Sequence, residues 1–297
     1  MKNSLYILLA GTLWGCTALL IGVLQAAGFT SLQCVALRAF FTALLLFLFL
    51  LLTGRDKLRI HLRDVPYFFG TGILSIAFFN YCYFEAIDRM GSAAVPALLL
   101  YTAPVFVMFL SALLFREQFT PAKGIATGLT LVGLGFITGA FSGGETLSGS
   151  VILLGLGAGL GYALYSIFGK CVAAKYDACT ITFYTFAIAA VGVVPISGIT
   201  RQLPVLLSPG RLLAALGLAL FCTVLPFLLY TYGLRGMEAG KAAILATVEP
   251  LVAAIVGALF FHEQFTLSKL LGMVLILFAI VYLNAAPAIR RQPGRER

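Results

Sequence analysis

Polar breaks divide this chain into ten long apolar runs, at about 4–26, 31–52, 65–87, 92–115, 121–141, 149–172, 178–198, 211–234, 239–261 and 267–286. Each run is continuously apolar and does not alternate at every second residue, which predicts membrane-spanning helices and excludes barrel strands. A helix rising about 1.5 Å per residue needs about 20 residues to cross hydrocarbon about 30 Å thick. Every run meets that length, so the predicted class is an all-α integral membrane protein with ten transmembrane helices. The first run follows Met1-Lys2-Asn3 and extends to about Gln25. A signal-peptide core spans about 7–15 residues, so this longer run reads as a retained first span.

Composition agrees: 61% of the residues are hydrophobic and 10% are charged, against roughly 25% charged in a soluble domain. No stretch is polar enough for a separate soluble domain. The net charge of +9 does not mark a nucleic-acid partner, because the basic residues sit in short connections and not on one surface. Arg55, Lys57, Arg59, Arg63, Arg116, Lys123, Lys170, Lys175, Arg235 and Lys241 fall in alternate connections, together with Lys2 and the arginines of the C-terminal tail. The other connections hold only Arg89, Arg201, Arg211 and Lys269. The positive-inside rule then predicts a cell membrane (plasma or inner membrane) protein with both termini cytoplasmic. The six cysteines lie in or beside apolar runs without ligand spacing and read as small packing residues. No metal or other cofactor is expected.

An internal repeat organises the chain. Phe115-Arg116-Glu117-Gln118-Phe119-Thr120 recurs 146 residues later as Phe261-His262-Glu263-Gln264-Phe265-Thr266. The same shift pairs Pro104 with Pro250, Lys123 with Lys269, Gly11 with Gly157 and Gly15 with Gly161, and one residue of slippage pairs Tyr83 with Tyr230 and Met90 with Met237. The predicted organisation is a first five-helix repeat over 1–145, a second over 146–286 and a basic cytoplasmic tail over 287–297. Five is odd, so the second copy enters the membrane upside down. Inverted repeats are the architecture of alternating-access carriers.

Several motifs carry a resemblance. Arg38-Ala39-Phe40-Phe41 lies in the second span, and Tyr81-Cys82-Tyr83-Phe84-Glu85-Ala86-Ile87 ends the third. Pro104 and Pro250 lie in spans four and nine, which close on Leu113-Leu114-Phe115-Arg116-Glu117 and Leu259-Phe260-Phe261-His262-Glu263. With these, the chain resembles the EamA-type ten-helix members of the drug/metabolite transporter superfamily. The resemblance covers nearly the whole chain and implies a transporter of small metabolites. The family usually has Gly before that Glu, where Arg116 and His262 stand here.

Charged and polar groups within the spans are the candidate chemistry, because each is costly in hydrocarbon. Glu249 lies about 14 Å into the ninth span, as a ligand for a substrate ammonium, a carrier of a coupling proton, or a structural acid bonded to a neighbouring helix. Arg38 lies about 10 Å into the second span, where it either snorkels to headgroups or faces a cavity. Their depths then differ by only about 6 Å across the core, so the two can grip the ends of an α-amino acid. Trp14, Tyr101 and Asn80 complete the candidate substrate-binding set, with Tyr101 on the cavity wall. Tyr162, Tyr165 and Tyr230 read as belt residues at the membrane interface. Pro104 and Pro250 free the carbonyls of Leu100 and Ala246 and are candidate hinges, equally readable as packing kinks. Gly11, Gly15, Gly155, Gly157, Gly159 and Gly161 form small-residue faces for close helix approach. Glu117 and Glu263 read as solvated turn residues.

The function these features predict is secondary transport of small polar metabolites, foremost amino acids or their derivatives. The other readings are a carrier of other neutral metabolites or drugs, a passive channel, or a membrane enzyme. The last is disfavoured because the two histidines, His61 and His262, lie at span edges and the sequence has no H-E-x-x-H or P-loop motif. The expected partners are a small-molecule substrate, the lipid bilayer and a coupling proton, with the protein a monomer or a homodimer.

Overall fold

The computed structural model describes residues 2–141 and 148–285. The predicted boundary at 145/146 and the tail from 287 lie outside them. The described residues form ten helices long and apolar enough to span a bilayer: α1 Lys2–Ala26, α2 Ser31–Thr53, α3 Leu62–Met90, α4 Ala94–Phe115, α5 Pro121–Thr138, α6 Gly149–Ala173, α7 Ala178–Ser197, α8 Pro209–Arg235, α9 Ala239–Phe260 and α10 Leu267–Ala285. Their starts follow local chemistry. Thr30 caps α2 in a capping box with Gln33, Thr120 caps α5 with Pro121 in its first turn, and Ser148 and Asp177 cap α6 and α7. Large apolar side chains such as Leu52, Phe109, Leu153, Val191 and Leu267 lie open on the outside, the surface that lipid covers.

The helices pair across the halves. Helix α1 packs on α8 and α9, α6 packs on α3 and α4, α2 packs on α7, and α5 packs on α10. Exchanging the halves maps each pairing onto another or onto itself. Backbone irregularities recur at matching points too. Helix α3 is π-helical over Gly70–Ala77 and α8 over Leu220–Val224, and a shift of 147 places the second segment on 73–77. Helix α4 breaks between Ala94–Leu100 and Ala103–Phe115, and α9 between Ala239–Ala246 and Val248–Phe260.

Pro104 and Pro250 sit in the first turn after their breaks, where a missing N–H costs no intrahelical bond. The Thr102 and Thr247 hydroxyls donate back to the carbonyls of Leu99 and Ile244, each at 2.6 Å. The carbonyls of Leu100 and Ala246 face the glycine faces of α6 and α1: a Cβ on Gly159 would meet Leu100 O at 3.1 Å, and one on Gly11 would meet Ala246 O at 2.9 Å. The small-residue faces therefore serve close approach to the two broken helices.

Candidate functional site

The breaks bring polar side chains to a cavity of about 100 Å³ inside the bundle. Trp14 and Thr17 of α1, Arg38 of α2, Ser75, Ile76 and Phe79 of α3, Tyr162, Tyr165 and Ser166 of α6, Phe227 and Tyr230 of α8, and Glu249 of α9 line it. Glu249 enters from the first turn of the second half of α9, an end whose free amides favour a carboxylate. Helix α1 comes close here, since a Cβ on Gly15 would lie 2.7 Å from Glu249 O and 2.6 Å from Val252 Cβ. The Tyr162 hydroxyl donates to Glu249 Oε2 at 2.9 Å, and the Tyr101 hydroxyl also approaches this carboxyl. Arg38 lines the same cavity, and among the described residues no ion pair joins it to Glu249.

Ring packing and hydrogen bonds tie the walls together. Trp14 packs against the rings of Tyr162, Phe227 and Tyr230, with centroids 6.3, 5.1 and 5.4 Å away. Ser166 and Tyr230 share a hydrogen bond at 2.7 Å, as do Tyr165 and Thr231 at 2.9 Å. Three buried polar atoms on the lining have no partner among the described residues: Trp14 Nε1, Arg38 Nε and Ser75 Oγ.

Trp14, Arg38 and Glu249 thus line one cavity. Tyr101 stands beside Glu249 on a second, smaller cavity where the breaks of α4 and α9 meet, with Pro104, Tyr162 and Thr247. Asn80 does not line the main cavity. It is buried, and its Nδ2 donates to the Ile76 carbonyl at 2.7 Å, a bond within its own helix. Tyr162, Tyr165 and Tyr230 line the cavity and do not form an interfacial belt. The spacing of Tyr162, Tyr165 and Ser166 puts them on one helix face, a signal the sequence did contain. Ser75 had none.

At the end of the bundle carrying Lys57, Lys123, Lys170, Lys175 and Arg235, Glu117 also departs from expectation. Its side chain is only 7% exposed. It accepts Lys170 Nζ at 2.7 Å and the backbone N–H groups of Ala239 and Gly240 at 2.8 and 3.2 Å. Burial pushes this carboxyl up, but Lys170 and the two amides outweigh it and hold it below its ordinary range. Its repeat counterpart Glu263 is 53% exposed and meets Lys269. Both turns are built alike: Arg116 and His262 each adopt φ 55°, the left-handed conformation that explains the Gly usual there.

A model of the EamA-like transporter family matches residues 1–139 and again residues 149–285. The chain belongs to this family. An uncharacterized transporter of Archaeoglobus fulgidus is 34% identical over 216 residues, which are 70% of this chain and 74% of that protein. The uncharacterized transporter YwfM of Bacillus subtilis is 27% identical over 99% of this chain and 96% of its own. A solved crystal structure matches with a TM-score of 0.76 at 18% identity, over 94% of this chain and 95% of the other, a likeness of fold alone. This EamA-like protein is therefore a multi-pass membrane transporter.

Proposed function

We propose that the protein is a secondary carrier that moves small polar metabolites, foremost amino acids or their derivatives, across the cell membrane by alternating access, with both termini cytoplasmic. The observation that carries this reading is one acid and one base, Glu249 and Arg38, lining one aromatic-walled cavity without pairing to each other. A zwitterion satisfies both charges, whereas a phosphate carries about −1.5 to −2 and would face a single cation beside a carboxylate. Two halves of opposite orientation, each closing the cavity from one side, supply the access cycle. The breaks at Tyr101-Thr102 and Thr247 are the natural bending points, and Glu249, the acid of the cavity, is the carrier of a coupling proton.

The test is uptake of a mixed amino-acid pool into liposomes holding the purified protein, with and without a pH gradient. Saturable uptake with counterflow supports a carrier over a channel or an enzyme. Loss of the pH dependence in Glu249→Gln would place the proton on that residue. Uptake of other neutral metabolites with no amino acid among them would discard the substrate class and keep the carrier.

A further inference from the structure

The cavity holds an imbalance between donors and acceptors. The hydroxyls of Tyr162, Tyr165, Ser166 and Tyr230 are engaged with Glu249, Thr231 and one another. Trp14 Nε1, Arg38 Nε and Ser75 Oγ are buried without a partner among the described residues. Two of these atoms can only donate, and the third does so readily.

Ser75 is the informative one. Hydroxyls inside helices ordinarily bond a carbonyl one turn back, and in this chain Thr12, Thr53, Thr71 and Thr138 do, whereas the buried hydroxyls of Ser75, Thr130 and Thr182 bond no described group; of these three, Ser75 is the one that lines the cavity. Thr71, one turn before Ser75, bonds both Phe68 O and Thr185 Oγ1. Ser75 is 1% exposed and bonds neither backbone nor side chain. It lies in the π-helical stretch Gly70–Ala77, a distortion that recurs at functional sites because it re-aims side chains. A buried hydroxyl left this way costs stability, and so does an unpaired guanidinium nitrogen.

We propose that Trp14, Arg38 and Ser75 form a carboxylate-recognising half-site, and that the substrate is a compact molecule bearing one carboxylate. The inference rests on reading the cavity as the substrate site, and it assigns the acid end of that site to three donors from α1, α2 and α3. A monoanion takes all three, and the positive group of a zwitterion turns to Glu249. Ser75 then sets selectivity for the free acid over its ester or amide, since an ester has no anionic oxygen to draw the guanidinium and the hydroxyl together.

Trp14 is the only tryptophan in the chain, so its fluorescence reports on this cavity directly. Purified full-length protein in lipid nanodiscs is titrated with L-amino acids, their methyl esters, the matching amines, and acetate to butyrate. Free acids are expected to shift the Trp14 emission saturably, with methyl esters at least about tenfold weaker, the scale of one charge-assisted hydrogen bond. Ser75→Ala and Arg38→Lys should each weaken the acids about tenfold and leave the amines unchanged, with melting temperatures near wild type. Equal binding of acid and ester, or no response to any carboxylate, overturns the half-site. Simple carboxylates binding as tightly as amino acids would keep it and remove the zwitterion reading.

Discussion

Replacing Glu117 by Gln tests whether this residue fastens the basic end of the bundle. The carboxylate joins three elements: the α4–α5 turn that carries it, Lys170 of α6, and the first two amides of α9. A hydrogen bond to a charged group contributes about 1.5–3 kcal/mol. The Gln carbonyl still accepts one amide, while Lys170 keeps its bond to Met237 O at 2.8 Å and is partly open to water. The net loss is then about 2 kcal/mol, not the sum of three bonds, and corresponds to roughly 30-fold in the opening equilibrium. Hydrogen exchange by mass spectrometry, on protein in nanodiscs, reads this at a peptide covering 237–245. Exchange there is expected to quicken about 30-fold, with peptides from α5 and α10 unchanged. The matched change Glu263→Gln, at an exposed residue bonded to Lys269, should leave α4 unaltered. Unchanged exchange in Glu117→Gln, or equal acceleration in every span, would refute the latch.

Three further outcomes follow from the same geometry. Because the folded Glu117 carboxyl is held below its ordinary range, its contribution is present above the unfolded value and lost as pH falls through the folded one. The melting-temperature gap between wild type and Glu117→Gln should therefore hold steady above the ordinary glutamate value of about 4.3 and shrink as pH falls below it, and a gap that does not shrink on acidification would contradict the assignment. Gly15→Val would drive a side chain into Glu249 O and Val252, so folded protein should carry no uptake, whereas Gly210→Val, where nothing lies within 4 Å, should behave as wild type. Tyr162→Phe removes the hydroxyl that donates to Glu249 and should alter the pH profile of uptake without lowering the melting temperature by more than a few degrees. An unaltered profile would argue that this bond plays no part in the cycle.

The fold was readable because lipid imposes one rule, that each spanning segment satisfies its own backbone. Ten apolar runs therefore became ten helices, with Thr30 and Thr120 starting theirs as capping chemistry predicts. Charged residues in apolar runs were readable for the same reason: Arg38 and Glu249 had few places to go, and both line the cavity. What the sequence left open is set by how helices face one another. Asn80 has the chemistry of a ligand, yet its Nδ2 donates to the Ile76 carbonyl four residues back, and it lies off the cavity lining. Ser75 has the less suggestive side chain and the more informative environment, because the π-helical stretch around it depends on packing and carries no motif. Glu117 and Glu263 show the limit most sharply. Their hexapeptides match at five of six positions and their turns each place a left-handed residue, Arg116 or His262, before the Glu, so local sequence treats them alike. One is clamped against α9 and the other is open to solvent, a difference made by the Ala239 and Gly240 amides together with Lys170, which lies 53 residues away along the chain. Near-identical local motifs thus take on different roles because the two ends of the bundle are packed differently, and that packing is a property of the whole chain.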